Sequence, residues 1–368
     1  MTDMDLLVVG ELNADVIVEC GDVRPAFGQV EEIVEDATIV LGSSGAITAC
    51  GAARLGARVA MVGVVGDDWL GEFVLDRLRE RGVDTSYCLR RPGRRTGMSV
   101  VLGARGDRSI LTFPGEIGRL AASDVPAEAL VAARHLHVSS YFLQRDLWPG
   151  LPDLLRAARE RGLTTSIDPN WDPGRSFDQG LPALLPLVDY LLPNEAEALH
   201  IAAAAGHPGL GSAREAAAVL ASLGTGAVVK CGAEGALLHR PDGTRLRVTA
   251  PEITPLETTG AGDSFDAGLL TALLAGEDLA SALRTASACG ALSTQGAGGT
   301  AAQPDAAQAD ALAATLTVVD LAEAASGTDG GDVAGTRPAG AGPGDVAAGP
   351  RPHPSTDSTV THPQENQQ

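Results

Sequence analysis

The sequence predicts an α/β protein with three layers, in which a mainly parallel sheet lies between two layers of helices. Residues 5–10 (DLLVVG) form a short, continuously apolar run, which is typical of a central parallel strand buried on both faces. From residue 135 onward, apolar strand-like runs alternate with segments of helical spacing. This alternation implies right-handed β-α-β crossovers, with helices on both faces of the sheet.

The first part of the chain is predicted to combine strands, two helices and a hairpin. The strands are predicted at residues 5–10, 14–19, 30–40 and 58–65. One helix follows Gly42-Ser43-Ser44-Gly45 and ends near Gly56, and another spans 70–81 and ends at Gly82, since glycine is favoured just after a helix. Residues 97–102 and 108–113 flank a short Gly-containing loop, which is typical of a hairpin.

The second part of the chain is predicted to supply most of the parallel sheet. Its predicted strands are 135–139, 164–168, 188–192, 227–231 and 235–239. Its predicted helices are 147–161, 195–204, 212–223, one that starts at Asp263, and 279–294. Because ligands of such sheets lie at the carboxyl ends of the strands, we expect the functional residues at that edge.

Composition excludes several classes of partner. The formal net charge is −20 and aromatic residues make up 3% of the chain, which argues against nucleic-acid and anionic-membrane surfaces. The five cysteines are scattered and form no C-x-x-C, so a reduced, cytoplasmic setting is expected. The start of the chain is acidic and does not resemble a signal peptide, and no apolar run reaches membrane-spanning length.

Residues 257–265 (ETTGAGDSF) join a Gly-Ala-Gly turn to a carboxylate at the start of a helix. The first N–H groups of a helix have no internal partners and attract anions, and glycine lets the backbone approach a ligand closely. Lys230, the single lysine, follows a valine, so there is no Walker A loop, and no G-x-G-x-x-G follows a strand. The turn is therefore the candidate phosphoryl site, with Asp263 as the base that deprotonates an attacking hydroxyl.

The same stretch, residues 258–265 (TTGAGDSF), resembles the C-terminal signature of the ribokinase-like (PfkB) carbohydrate kinase family. The similarity extends over roughly residues 5–300 and includes, in order, GELNAD at 10–15, AARLG at 52–56, GVVGDDWLG at 63–71, LPNEAE at 192–197 and KCGAEG at 230–235. The resemblance implies a kinase domain over residues 1–325, with a three-layer α-β-α core and a small β lid from about 11–40 and 95–114. Residues 326–368 are rich in Gly, Pro and Ala and are predicted to be disordered.

The resemblance also implies roles for the residues on the ATP side. Asp263 would be the general base, and the amides of Gly260, Ala261 and Gly262 would form the anion hole. Asn194 and Glu197 would organise Mg²⁺ through water, because hard oxygen ligands suit that ion. The residues implied to lie along ATP are Lys230, Gly232, Gly235 and Asn194, with 288–299 around the adenine.

On the acceptor side, the resemblance implies that Asn13 and Asp15 bind sugar hydroxyls, together with Asp168 and Asn170. In the first glycine region the family has Gly-Gly followed by Asn, where this sequence has Ser43 and Ile47. Glu257 replaces the usual Asp near a loop that in relatives helps to hold a monovalent cation, so such a cation is a further candidate ligand. Dimers formed through the lid occur among similar proteins, and a homodimer is the corresponding expectation here.

Each of these residues also has a purely structural interpretation. Asp263 is a favourable helix-start carboxylate, and Asn194 with Glu197 fits a helix cap. Asp15, Asp168 and Asn170 are ordinary turn residues, and Lys230 fits a surface position. At the level of function, the alternatives are a nucleoside or sugar-phosphate kinase of the same fold, for which lid arginines would be expected, and a catalytically silent sugar-sensing protein. The arginines available for such a lid are Arg94, Arg95, Arg105 and Arg108.

Overall fold

The structure is a computed structural model that describes residues 4–104 and 107–321. Its strands are β1 (Leu6–Val9), β2 (Asn13–Glu19), β3 (Asp36–Leu41), β4 (Val59–Val62), β5 (Val64–Gly66), β6 (Leu89–Arg91), β7 (Gly97–Ala104), β8 (Asp107–Phe113), β9 (His135–Val138), β10 (Thr164–Ile167), β11 (Tyr190–Leu191), β12 (Gly226–Lys230), β13 (Ala236–His239), β14 (Arg245–Val248) and β15 (Val318–Asp320). Its α-helices are α1 (Ser44–Arg54), α2 (Trp69–Glu80), α3 (Ala127–Ala132), α4 (Leu151–Glu160), α5 (Leu181–Leu184), α6 (Glu195–Ala204), α7 (Ala213–Ser222), α8 (Ala261–Leu274), α9 (Leu279–Ser293) and α10 (Ala306–Ala313).

The central sheet is mainly parallel, which confirms the prediction. Across residues 4–104 and 107–321 it has nine strands, in the order β15-β14-β13-β12-β11-β10-β9-β1-β4. Six neighbouring strands of this sheet, β4, β1, β9, β10, β11 and β12, are parallel to one another. Strands β13, β14 and β15 add an antiparallel edge. All four residues of β1 are buried, as expected for a strand with helices on both faces.

Helices cover both faces of this sheet, so the three predicted layers are present. Side chains alternate along a strand: Leu7 and Val9 of β1 belong to a core that includes residues of α3, α4, α6 and α7. Leu6 and Val8 belong to a second core, with residues of α1, α2 and α8. A third cluster packs α8 and α9 against the antiparallel edge. Helix α8 thus lies within the packed interior, which fixes the position of its N-terminus.

Four further strands form a small sheet in the order β3-β2-β7-β8. It contains the two segments predicted to form a lid. The strand predicted at 30–40 is shorter than expected: β3 begins at Asp36 and ends at Leu41. The reason is the length of its partner: Glu19, the last residue of β2, pairs with Asp36, so the preceding residues have no strand of β2 beside them.

The strand predicted at 58–65 is divided at Gly63. Residues 59–62 pair with β1 in the central sheet, whereas residues 64–66 pair with β6 in a separate two-stranded sheet. A Cβ at position 63 would lie 2.7 Å from the Leu12 side chain, so only glycine leaves room for this change of sheet. The helix predicted at 147–161 is similarly shorter, since a 3-10 turn at Trp148–Gly150 precedes α4.

Residues 326–368, predicted to be disordered, lie outside the described residues. Their proposed separation from a kinase domain over residues 1–325 therefore stays a prediction. No helix in the described ranges is both long enough and apolar enough to cross a membrane.

Candidate active site

The Gly260–Asp263 turn forms the N-terminus of α8. Gly260 is the N-cap residue and has a φ of 75°, in the left-handed region that favours glycine. A Cβ at this position would lie 2.6 Å from the Cα of Gly299, so the turn also packs closely against a neighbouring backbone. The helix begins at Ala261, two residues before the predicted start, and Asp263 lies in its first turn. An anion-attracting helix end and a carboxylate therefore occupy the same place.

Asp263 is suited to accept a proton at neutral pH. Burial and the nearby charge of Asp168 raise its pKa to about 7, although Lys230 and a hydrogen bond from Ser44 act in the opposite direction. Asp263 is partly exposed at the start of α8. A carboxylate with these properties has the protonation equilibrium expected of a general base.

Lys230 lies at the end of β12 with its ammonium turned inward. Its Nζ is 2.8 Å from Oδ2 of Asp168 and 3.0 and 3.2 Å from the carboxylate oxygens of Asp266. Burial opposes its charge, but the two aspartates outweigh that effect and hold the pKa of Lys230 above its usual range. The surface interpretation of Lys230 is wrong, because 13% of its side chain is exposed.

Three of the four residues predicted to lie along ATP line one cavity of about 340 Å³, namely Lys230, Gly232 and Gly235, whereas Asn194 does not line it. Ala261 and Gly262 border the same cavity at the start of α8. The segment predicted to surround the adenine contributes Gly290, Ala291 and Thr294 from α9 and the residue after it. The cavity thus adjoins the anion-attracting turn.

Asn13 and Asp15 lie together at the start of β2. Nδ2 of Asn13 donates a 2.7 Å hydrogen bond to Oδ1 of Asp15. Burial raises the pKa of Asp15 to about 6, although the bond from Asn13 acts against this. Both side chains border Gly42, where a Cβ would overlap with them. Gly42, two residues before α1, is thus next to the predicted sugar-binding pair.

Asn170 and Asp168 follow β10 and also approach the start of α1. Nδ2 of Asn170 donates to Oγ of Ser140 at 2.9 Å and to Oγ of Ser44 at 3.4 Å. The backbone N–H of Asn170 donates to Oδ1 of Asp168 at 2.8 Å. Because Ser44 also bonds to Asp263, it connects the predicted acceptor residues to the predicted base.

Sequence reasoning missed Glu11, which is central to this side of the site. Its side chain is buried and accepts hydrogen bonds from the Ser44 N–H at 2.9 Å, from Ser140 Oγ at 2.9 Å and from Gln144 Nε2 at 3.2 Å. Burial raises the pKa of Glu11. Its position was the available signal, because a charged residue stands two positions after the end of the buried strand β1.

Two of the three departures from the family pattern, Ser43 and Ile47, have structural roles. Ser43 has a φ of 71° and caps α1, since its Oγ accepts from the Ala46 N–H at 3.1 Å. Ile47 is buried, and a Cβ on Gly299 would overlap its side chain. Ile47 therefore packs behind the backbone that supports Gly260, where it contributes an apolar contact and no hydrogen bond to a sugar.

Asn194 and Glu197 form a helix cap at the start of α6. The Asn194 side chain accepts from the Glu197 N–H, and Glu197 accepts from the backbone and side chain of Asn194 at 2.9 and 2.7 Å. Burial and the charge of Asp168 raise the pKa of Glu197 to about 7. The cap alone accounts for both residues, so their role toward a metal stays a prediction.

Asn194 and Glu197 are also the residues predicted to organise Mg²⁺ through water. Within residues 4–104 and 107–321, no group of three or more His, Cys, Asp or Glu is arranged to hold a metal ion. Mg²⁺ usually keeps several waters and takes one or two carboxylates plus substrate phosphates. The hard oxygen atoms of Glu197 fit such a water-mediated site, but they do not form a cage by themselves.

Comparison with known proteins agrees with this geometry. The model of the pfkB family carbohydrate kinases matches residues 3–306. Ribokinase of Bacillus subtilis is 30% identical over 292 residues, which cover 78% of this chain and 92% of that protein. Arabidopsis thaliana ribokinase, solved with ribose and ATP, is 25% identical and aligns with a TM-score of 0.71 over 84% of this chain and 98% of its own.

A second solved structure shows the same fold at lower identity. A ribokinase II-type protein of E. coli, solved with ATP and Mg²⁺, has a TM-score of 0.73 at 23% identity. The alignment covers 84% of this chain and 98% of that chain. The three-layer core with its small sheet is therefore the ribokinase fold.

Proposed function

The chain belongs to the pfkB family of carbohydrate kinases and is a phosphotransferase with an alcohol group as acceptor; from this premise we propose that it transfers the γ-phosphoryl group of ATP to a sugar hydroxyl. The observation that carries the proposal is the position of Asp263. It lies at the anion-attracting start of α8, between the cavity next to Lys230 and the polar residues around Ser44. Phosphoryl donor and hydroxyl acceptor would meet there.

In the proposed reaction, the acceptor oxygen attacks the γ-phosphorus and its proton passes to Asp263. The bond from that phosphorus to the bridging oxygen breaks, and ADP leaves. The amides of Gly260, Ala261 and Gly262 would face the transferring charge, as in an anion hole, with the Ala261 N–H exchanging its 3.3 Å bond to the Thr258 carbonyl for one to the phosphoryl oxygen. Asn13, Asp15 and Asn170 would hold the acceptor. When bound, Mg²⁺ supplies neutralisation of phosphate charge, and Asn194 and Glu197 would orient its waters.

We expect the activity to fall on the acid side of neutrality. The base must be ionised, and the pKa of Asp263 is raised to about 7. Below that pH, kcat/KM for the acceptor should fall about tenfold per pH unit. Steady-state rates from pH 5.5 to 8.5 at saturating ATP and magnesium would measure this, with calorimetric ATP binding as the control. A base with the usual carboxylate pKa of about 4 would give rates that stay nearly constant down to pH 5.5, and that result would contradict the assignment.

The metal role of Asn194 can be separated from its capping role. Asn194→Ala should raise the Mg²⁺ concentration for half-maximal activity about tenfold, because an outer-shell partner is lost. It should also lower the unfolding free energy by about 1 kcal/mol through loss of the cap. Activity titrated with magnesium and thermal unfolding are the two measurements.

The matched control for this change is Asp305→Ala. Asp305 and Gln308 form the same kind of capping box at the start of α10. This control should show the loss of stability without a change in the magnesium requirement. Equal magnesium requirements in the two variants would leave Asn194 with the capping role alone.

A free sugar is the proposed acceptor, because Arg94, one of the candidate lid arginines, and the neighbouring Arg91 are bound to a carboxylate, while Arg95 is exposed and lies near the carboxylate of Asp68. Arg94 donates to buried Glu116 at 2.7 Å, and Arg91 donates to the same carboxylate at 3.1 Å. The side chains of Arg105 and Arg108 lie outside the described residues. A coupled assay for ADP over sugars, nucleosides and sugar phosphates tests the choice. No stimulation by any acceptor would favour a sugar-sensing protein.

The proposed homodimer would form through the small sheet. Ile39, Ile110, Leu111 and Phe113 of its strands are between 41% and 63% exposed. Such apolar surface is typical of a protein interface. A second copy of the chain is the proposed partner, and the molar mass of the full chain in solution tests this.

A further inference from the structure

Lys230 is placed where it connects two parts of the site. Its ammonium binds Asp168 at the end of β10 and Asp266 on α8, one helical turn after Asp263. A Cβ on Gly262 would lie 3.5 Å from the Lys230 Nζ, so the ammonium is directly behind the Gly260–Asp263 turn. Lys230 lines the cavity of about 340 Å³, and its ammonium forms ion pairs with Asp168 and Asp266.

Carboxylates from several elements lie near this ammonium or near its aspartate partners. Asp263 and Asp266 lie on α8, Asp168 follows β10, and Glu11 follows β1; the other titratable groups near them are His137 of β9 and Glu197 of α6. Lys230 is the only lysine in the sequence. Buried carboxylates at such close range repel one another unless a cation or a proton lies between them.

A bound proton and the ammonium of Lys230 together balance the negative charge of Asp168 and Asp266. Burial raises the pKa of Asp266 well above its usual range, whereas Lys230 and a hydrogen bond from Asp266 overcome the effect of burial on Asp168 and hold its pKa low. Of the two carboxyls, Asp266 is thus the more readily protonated and Asp168 the more readily ionised. The ammonium of Lys230 then compensates Asp168, the charge that would otherwise act most strongly on Asp263.

We propose that Lys230 is a positioning residue for phosphoryl transfer, whose ammonium fixes the start of α8 against the end of β10 and balances the negative charge of the carboxylates around Asp263. The inference rests on the proposed function, in which Asp263 is the base. It differs from the role implied by resemblance, because the ammonium acts on the aspartates and does not need to contact ATP.

The first test compares the acid limb of the kcat/KM profile in three variants. Lys230→Met removes the positive charge and should raise the apparent pKa of the acid limb by about one pH unit. Lys230→Arg keeps the charge and should return the limb toward its original position even if kcat is lower. Asp266→Asn, the control, replaces a protonated carboxyl by a neutral amide and should leave the limb within a few tenths of a unit.

The result that overturns the proposal is an unmoved limb in Lys230→Met together with a raised KM for ATP. That outcome would assign Lys230 to nucleotide binding. An inactive wild-type chain over the whole acceptor panel would instead contradict the proposed function, so the two failures are distinguishable.

A second measurement needs no activity and does not depend on the folding of Lys230→Met. Because the chain has one lysine, ¹⁵N-lysine labelling of the full chain gives a single Nζ signal. Its shift should show an inflection near pH 7 to which Asp263 and Glu197 both contribute, because the pKa of each is raised to about 7, and Asp263→Asn should remove the part that belongs to Asp263. An Nζ signal that is the same in wild type and Asp263→Asn at every pH would show that the ammonium does not sense the base, and would overturn the proposal.

Discussion

Asp263→Asn is expected to lower turnover by about 10³- to 10⁴-fold, while ATP binding stays within a few-fold of wild type. Loss of a general base costs on this order, because the amide cannot accept the hydroxyl proton. The change is nearly isosteric, so Gly260 and the N-terminus of α8 keep their positions. ADP release by a coupled assay, with the best acceptor of the panel, and calorimetric ATP binding measure the two effects.

The matched control is Asp278→Asn. Asp278 caps the start of α9 and, like Asp263, is a carboxylate at a helix N-terminus, but it lies outside the candidate site. If Asp263 only favoured its helix, both variants would lose a little stability and neither would lose turnover. Retained turnover in Asp263→Asn would therefore reject the proposed base.

Gly260→Ala is expected to have the second-largest effect, on both stability and activity. The residue has a φ of 75°, and a Cβ would lie 2.6 Å from the Gly299 Cα. The left-handed conformation costs an alanine about 1–2 kcal/mol, and the contact forces the turn or its neighbour to move. We expect the unfolding free energy to fall by about 2 kcal/mol or more, and turnover by about 100-fold as the amides are displaced.

Gly276→Ala provides the control at the other end of the same helix. Gly276 has a φ of 84°, and nothing lies within 4 Å of a Cβ built there. This variant should show the conformational cost without the loss of turnover. Denaturant unfolding and the coupled assay separate the two effects, and equal loss of turnover in both glycine variants would contradict a special role for the Gly260 turn.

The parallel core could be predicted because its signals are local. A buried strand such as β1 is a continuous apolar run, and helix ends at Gly56 and Gly82 follow directly from the conformational freedom of glycine. The limits of β3 could not be predicted, because they depend on where β2 ends. The division at Gly63 depends on the side chain of Leu12, which the sequence alone does not place nearby.

The candidate site shows the same distinction. Asp263 could be selected because the turn and the helix start are contiguous in sequence. Glu11 and the partners of Lys230 depend on contacts between distant segments: Lys230 and Asp168 are 62 residues apart, and Glu11 and Gln144 are 133 apart. The sequence contains these residues but does not show which of them pair. Sequence analysis therefore predicted only that Lys230 lies along the nucleotide.

Three helices begin around this site: α1 at Ser44, α6 at Glu195 and α8 at Ala261. The positive ends of their dipoles act over little more than one helical turn. In a chain with a net charge of −20, the attraction for a polyanion is consequently confined to the cleft, while the surface as a whole repels it. Discrimination between anionic ligands is then made after entry, by close contacts, and long-range steering contributes little to their capture.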